Sequence, residues 1–502
     1  MPFQNVLDNA AFNKFHLKTI FVSGSGFLTD AYDVFIISII TPMISQVYYD
    51  GKMDNNLQGW LKSSASYGTL FGQLLFGYLS DRYGRKAIYG IELIVIILGT
   101  LGSTLVGATP MVSVVSLLIV WRLLMGIGIG GDYPTSSVIT SEFSNKKNRG
   151  MLISSVFAMQ GVGIVLAASV STILLLIFKN NINSNPNYYL DIVWRLCVAI
   201  GCIPGIFALY ARLTIPESPR FSNDVNNDLL KATKDTHKVH NLPFDESKQG
   251  TPNTFTSATT VRSKYADVTF YQYFSKYENL KGLVAMSFCW FVLDIGYYGT
   301  NLNSNILLSN IGFGGGNTIY QQIFNIALGN LIAVLLGALP GYFFSVFFID
   351  KMGRKTIQYM GFTMLTIGFA LLAVGYTWLT NNSVPLFIII YTLIQFFNNF
   401  GPNTTTFVLP AENFPTKFRG TANGICAASG KLGAIIAGQG FSALKDIGGN
   451  NAFVPQLLLI FSVCMFLGLI ATYFINETNG LSLEEINGEE KPLSELQLPP
   501  QL

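Results

Sequence analysis

The sequence predicts an all-α membrane protein with about twelve transmembrane helices arranged as two six-helix repeats. Three observations carry this. Half of the 502 residues are hydrophobic and only 12% are charged, against about 25% charged in a soluble globular chain. Apolar runs of about 20 residues, the length that spans a bilayer core, recur along the sequence. A charged loop motif occurs twice, at nearly equivalent places in the two halves.

The apolar runs cover 19–45, 60–79, 87–106, 112–131, 151–178 and 193–213. A polar stretch follows, and then 282–306, 320–349, 357–379, 384–408, 420–444 and 453–475. This divides the chain into an N-terminal six-helix half (1–215), a central loop (216–281), a C-terminal half (282–476) and a tail (477–502). Lys and Arg mark the cytoplasmic side of a membrane protein. They cluster before the first run (Lys14, Lys18), after the second (Arg82, Arg85, Lys86), the fourth (Lys146, Lys147, Arg149), the eighth (Lys351, Arg354, Lys355) and the tenth (Lys417, Arg419), and in the central loop. Both termini and the central loop are therefore expected inside, with no cleavable signal ahead of the first run. Asn381, in an Asn-Asn-Ser stretch, falls in an expected outer loop and is a candidate for glycosylation.

A net charge of +3 gives no reason to expect a nucleic-acid partner. The five cysteines lie in apolar surroundings without a Cys-x-x-Cys pair and read as small buried hydrophobes. No metal or cofactor is expected. No Gly-x-x-x-x-Gly-Lys-Ser/Thr loop is present, which argues against an ATP-driven pump.

Asp81-Arg82-Tyr83-Gly84-Arg85-Lys86 recurs as Asp350-Lys351-Met352-Gly353-Arg354-Lys355, offset by 269 residues. Glu142 with Arg149-Gly150 recurs as Glu412 with Arg419-Gly420, offset by 270. Two signals at nearly one offset mark parallel repeats, whose interface near the membrane midplane is where a substrate sits while the halves rock. The segment Gly77–Lys86 resembles the loop motif of the major facilitator superfamily. It implies a gating set: Asp81, Arg85, Glu142 and Arg149, with Asp350, Arg354, Glu412 and Arg419 in the second half.

Ionisable residues deep in spans are expensive and usually functional. Asp30, Asp33, Arg122, Asp132, Asp294 and Lys431 stand out. His16 precedes the first run, and His237 and His240 lie in the central loop, so a proton relay would have to use carboxylates. Trp290, Asp294 and Tyr298 follow at four-residue spacing and so share one helix face, offering an indole, a carboxyl and a phenol to a common space.

Gly130-Gly131-Asp132-Tyr133-Pro134-Thr135-Ser136-Ser137 is similar to the signature of the phosphate:proton symporter family within that superfamily, typified by fungal high-affinity phosphate transporters. Asn399-Phe400-Gly401-Pro402-Asn403 and Ala427-Ala428-Ser429-Gly430-Lys431 resemble it too, and the likeness runs from the first span to about Glu477. The resemblance implies a phosphate site of Tyr133, Gln160, Trp290, Asp294, Tyr298 and Asn403, with Lys431 as an electrostatic partner. It assigns proton transfer to Asp30, Asp33 and Asp132, with Arg122 adjacent. Tyr133 and Asn403 stand 270 residues apart, at equivalent places in the two repeats. Several relatives that carry glycerophosphodiesters have Glu at the place of Asp132 and lack the glutamine that Gln160 supplies, so having both residues favours free phosphate. The expected function is proton-coupled phosphate uptake at the plasma membrane, not catalysis. A glycerophosphodiester symporter is the nearest alternative, and a sugar porter or a non-transporting receptor would share the fold.

Overall fold

The computed structural model describes residues 13–107, 111–213, 217–225, 228, 231, 233–236, 264–265 and 267–488. Its long helices are α1 Lys14–Tyr49, α2 Asn55–Tyr83, α3 Arg85–Leu105, α4 Val114–Phe143, α5 Arg149–Ile177, α6 Pro186–Arg212, α7 Tyr277–Asn301, α8 Ile319–Met352, α9 Arg354–Asn382, α10 Val384–Asn413, α11 Arg419–Leu444 and α12 Val454–Thr472. Among the described residues no strand appears. Ten of these helices are long and apolar enough to cross a membrane. The other two, α2 and α11, are 29 and 26 residues long. They contain polar and small residues because they lie between the two halves rather than in full contact with lipid.

Close helix approach explains the glycines there. A Cβ at Gly72 of α2 would lie 2.1 Å from the Ile127 carbonyl of α4. Across the halves, a Cβ at Gly424 of α11 would lie 2.4 Å from the Gln73 carbonyl of α2. Small residues at such crossings let backbones touch. The repeat is visible in the backbone as well. Gly84 and Gly353, which end α2 and α8, share a positive φ of 97° and 90°.

Two irregularities shape the interior. The α6 helix breaks near Gly201, where a Cβ would lie 2.5 Å from an Asp33 carboxyl oxygen. The α10 helix breaks at Gly401 ahead of Pro402. The carbonyl of Asn399 freed there accepts from the hydroxyls of Ser345 at 2.6 Å and Thr404 at 2.7 Å. Broken helices inside a membrane need such replacement partners.

Several boundaries differ from the sequence expectation. The first helix begins at Lys14, so His16 lies inside its first turn. There it is buried, and its Nδ1 accepts from the Asn13 N–H at 3.2 Å in a capping box. The seventh helix begins at Tyr277, five residues before the expected start, because polar residues form its first turn. Asn381 lies in the last turn of α9 rather than in a loop. Residues from Glu477 onward, expected as a tail, pack against the bundle as far as Gly488; His237, His240 and 489–502 lie outside the described residues. Four cysteines are buried and Cys464 is partly so.

Candidate functional site

At the centre of the bundle, side chains from both halves form one buried polar cluster. Tyr133 (α4), Gln160 (α5), Trp290, Asp294 and Tyr298 (α7), Asn403 (α10) and Lys431 (α11) are each at most 4% exposed. Lys431 Nζ donates to Asp294 Oδ2 at 2.8 Å and to the Tyr298 hydroxyl at 2.9 Å. It also lies over the Tyr298 and Tyr133 rings, 4.2 and 5.3 Å from their centroids. Gln160 Nε2 donates to the Tyr133 hydroxyl at 2.7 Å. Trp290 packs on α11, where a Cβ at Gly430 would lie 2.4 Å from its indole Cδ1. The seven residues named from the sequence therefore converge on one place.

Sequence reasoning missed the residue that joins the two halves there. Tyr342 of α8 donates to Gln160 Oε1 at 2.5 Å and accepts from Asn403 Nδ2 at 3.0 Å, with the Tyr297 hydroxyl 3.3 Å away. Nothing in the apolar run around Tyr342 distinguishes it from a packing aromatic. Aromatic rings close the cluster at both ends. Phe157 and Phe407 stack at 4.4 Å, and Phe27 lies 5.0 Å from the Tyr133 ring. On the other side Phe35 stacks on Tyr298 at 5.6 Å.

Beside this cluster, within the first half, lies an acidic one. Arg212 of α6 donates Nη2 to Asp132 and Nη1 to Glu92 of α3, the latter at 3.2 Å, and its guanidinium lies 4.3 Å above the Tyr89 ring. Ser136 also donates to Asp132. Asp30 is buried beside Asp132, Arg212 and Asp33. A Cβ at Gly26, one turn before Asp30, would lie 1.7 Å from Arg212 Nη2. Only glycine admits that guanidinium.

Arg122 lies beside Asp33, donating to its backbone carbonyl at 3.1 Å, while the cation on Asp132 is Arg212. The Asp33 carboxylate accepts from Thr100 at 2.8 Å. Arg212 and Glu92 were visible as charges within or at the edge of apolar runs, and Lys62 of α2 was another. The sequence reading counted none of the three.

The loop-motif end of the bundle is held by two equivalent networks. Glu142 pairs with Arg85 of its own half at 3.0 Å and with Arg419 of the other at 3.1 Å. Glu412 pairs with Arg354 of its own half at 2.8 Å and with Arg149 of the other at 2.9 Å. Asp81 accepts from the backbone N–H groups of Gly420 and Thr421 at 3.0 and 2.7 Å. Asp350 accepts from those of Gly150 and Met151 at 3.1 and 2.7 Å. These N–H groups open α11 and α5, where a helix has unpaired donors and favours an anion. All eight residues named as a gating set take part. Two helix-start segments add to it. Glu217 accepts from Arg85 N at 3.2 Å, and Glu477 from Arg354 N at 3.1 Å. Beyond them Glu484 pairs with Arg220 at 3.0 Å and Glu485 with Lys146 at 2.6 Å.

The family model for sugar (and other) transporters matches residues 18–489. The repressible high-affinity phosphate permease of Neurospora crassa is 40% identical over 96% of this chain and 88% of its own length. The inorganic phosphate transporter PHO84 of Saccharomyces cerevisiae is 40% identical over 96% and 86%. The probable inorganic phosphate transporter 1-6 of Arabidopsis thaliana is 38% identical over 97% and 96%. Among solved structures, the proton:xylose symporter XylE superposes with a TM-score of 0.72 at 21% identity, covering 94% of this chain and 98% of that one. At that identity the likeness speaks for the fold, which is the major facilitator fold. The chain belongs to the sugar (and other) transporter family, among the fungal and plant relatives named as inorganic phosphate transporters.

Proposed function

We propose that this protein carries inorganic phosphate together with protons across the plasma membrane by alternating access. The observation that carries the reading is the central cluster. One lysine is neutralised by one aspartate and ringed by phenols, a carboxamide pair and an indole. An anion that displaces Asp294 from Lys431 finds N–H and O–H donors on every side from Tyr133, Gln160, Trp290, Tyr298 and Asn403. A protonated Asp294 adds one more. Hydrogen bonds to a charged group are worth about 1.5–3 kcal/mol each, enough to replace the hydration of a phosphate oxyanion in this enclosed space.

The acidic cluster supplies the proton route. Asp132 and Glu92 share one guanidinium, Arg212, and Asp30 lies beside them. Three carboxyl groups and one cation in a buried site favour retention of a proton, since unpaired buried charge is costly. Asp33 and Arg122 extend the group along α1 and α4. An anion moving into a cell works against about 2.3 kcal/mol per charge per 100 mV. Protons taken up here offset that charge.

The loop-motif end faces the cytoplasm in this reading, because Lys and Arg gather there, and both termini lie inside. The halves 1–215 and 282–476 are the rocking units, with 216–281 as the connector. The test is labelled-phosphate uptake into proteoliposomes with and without an imposed proton gradient. Accumulation that follows the gradient is expected. Transport of glycerophosphodiesters in preference to phosphate, or uptake indifferent to the gradient, would refute the reading.

A further inference from the structure

At the end of the bundle away from the loop motif, a cavity of about 340 Å³ opens between the halves. Its walls include Thr41, Ser45 and Gln58 of the first half and Asn305, Gln322 and Lys445 of the second. Behind Asn305 lies Lys62 of α2, which is 1% exposed. Its Nζ donates to Asn303 Oδ1 at 2.9 Å and Asn305 Oδ1 at 3.2 Å. Asn303 Nδ2 is engaged by the Gly299 carbonyl at 3.0 Å, which fixes its oxygen towards the lysine. Among the described residues Lys62 makes no ion pair. The charge acting on it is Lys445, a second cation. Lys445 is itself held by Asp446 at 2.5 Å, and Asp446 also accepts from Asn55 at 2.6 Å and from Asn451 N at 2.8 Å. The region therefore holds two lysines and one carboxylate, with the buried lysine compensated by amide oxygens alone. A buried cation without a counter-charge is costly, and an anion that meets it offsets that cost.

We propose that this cavity is a second anion site, an outer vestibule in which a tetrahedral oxyanion rests before the central cluster. Lys62 is its buried cation, and Lys445 with the carboxamides of Gln58 and Asn305 forms its rim. This rests on the reading of the protein as a phosphate carrier. An anion in the cavity competes with the two asparagines for the Lys62 ammonium. Those asparagines belong to the turn after α7, the helix that carries Asp294 and Tyr298. Occupation of the vestibule thus loosens the two hydrogen bonds of Lys62 across the halves and leaves the central cluster intact.

The experiment is equilibrium binding of labelled inorganic phosphate to the full chain in nanodiscs. It is joined to initial rates of uptake in right-side-out proteoliposomes and of efflux. The wild type is expected to show a tight and a weak class of site. Lys62→Gln is expected to abolish the weak class, to raise the uptake KM about tenfold, the worth of one charge-assisted hydrogen bond, and to leave the tight class and the efflux KM in place. Lys62→Arg is expected to keep the weak class. If Lys62→Gln does not fold, Lys445→Gln carries the same test from the rim. A wild type with one class of site, or a Lys62→Gln protein that weakens tight binding and efflux as much as uptake, overturns the proposal and leaves Lys62 as a structural tie. A wild type that binds no phosphate would instead overturn the phosphate reading itself.

Discussion

Replacing Arg212 by glutamine tests the proton route most directly. The guanidinium is fully buried, bonds to Asp132 and Glu92, and lies 4.3 Å above the Tyr89 ring. Removing one partner of a buried ion pair destabilises by about 3–5 kcal/mol, because the remaining charge is uncompensated. Here two carboxylates would be stranded, with Asp30 close by. The protein can avoid that penalty by keeping protons on the acids, at about 1.36 kcal/mol per unit of pKa. A carrier whose acids stay protonated can still exchange phosphate for phosphate, but it does not release its protons inside. The expected outcome is loss of gradient-driven accumulation by at least tenfold, with counterflow of labelled against unlabelled phosphate retained and folding preserved at low pH. Purified Arg212→Gln protein in liposomes would be assayed in both modes, with thermal unfolding followed across pH. Accumulation at the wild-type level would show that Arg212 only packs the helices. Gly26→Ala should reproduce the phenotype more weakly, since its Cβ must displace the same guanidinium.

Tyr342→Phe removes the hydroxyl shared by Gln160 and Asn403. It should weaken phosphate binding about tenfold, and unchanged affinity by titration calorimetry would exclude Tyr342 from the site. Lys431→Ala should abolish uptake, while Lys431→Ala with Asp294→Asn should recover folding but not accumulation; strictly additive stability changes in a double-mutant cycle would mean that the observed pair carries no coupling. Asp81→Ala, which empties the anion position at the start of α11, should slow transport with little change in equilibrium phosphate binding, and an equal loss of both would place it at the substrate site. Burial alone would raise the Glu484 carboxyl, but Arg220 outweighs it and holds the group below its ordinary 4.5. Its stabilising contribution is thus present above pH 4.5 and lost as pH falls through the lower folded value. Hydrogen-exchange protection over Leu483–Asn487, corrected for the intrinsic rate at each pH, should hold down to about pH 4.5 and fall below it; a fall already above pH 6 would contradict the sign.

Apolar length and charged turns made the twelve helices legible in the sequence, and the duplicated loop made their pairing into halves legible. The central residues were found by a different route. Trp290, Asp294 and Tyr298 announce themselves by helical spacing around an acid, whereas Gln160 and Asn403 needed the family resemblance. What stayed hidden shares one physical cause. Arg212, Glu92 and Lys62 are single charges in or beside runs that remain apolar on average, so a search for apolar windows passes over them. Tyr342 is hidden because a phenol in a run of aromatics carries no periodic signal, and its role depends on where α8 meets α5. The helix breaks near Gly201 and at Gly401 bring Gly201 against Asp33 and set the start of the segment that carries Asn403, and each has a proline just after it, Pro204 and Pro402, whose missing N–H interrupts the helix.

The loop-motif networks also show how a buried lock can open without stranding charge. Each glutamate has two arginines, one from its own half and one from the other. When the halves part, Glu142 keeps Arg85 and Glu412 keeps Arg354, so neither carboxylate is left alone at low dielectric. The arginines that withdraw are not bare either. Arg419 Nε donates to the Phe414 carbonyl of its own half at 2.9 Å, and water reaches both arginines once the end opens. Separation therefore costs two ion pairs in a site that is becoming wet, far less than the 3–5 kcal/mol of a dry broken pair. A lock with only one arginine per glutamate, shared across the halves, would have to expose a naked carboxylate at every cycle. The duplicated motif supplies the second arginine in each half, which is the physical reason the same charges recur at an offset of about 270 residues.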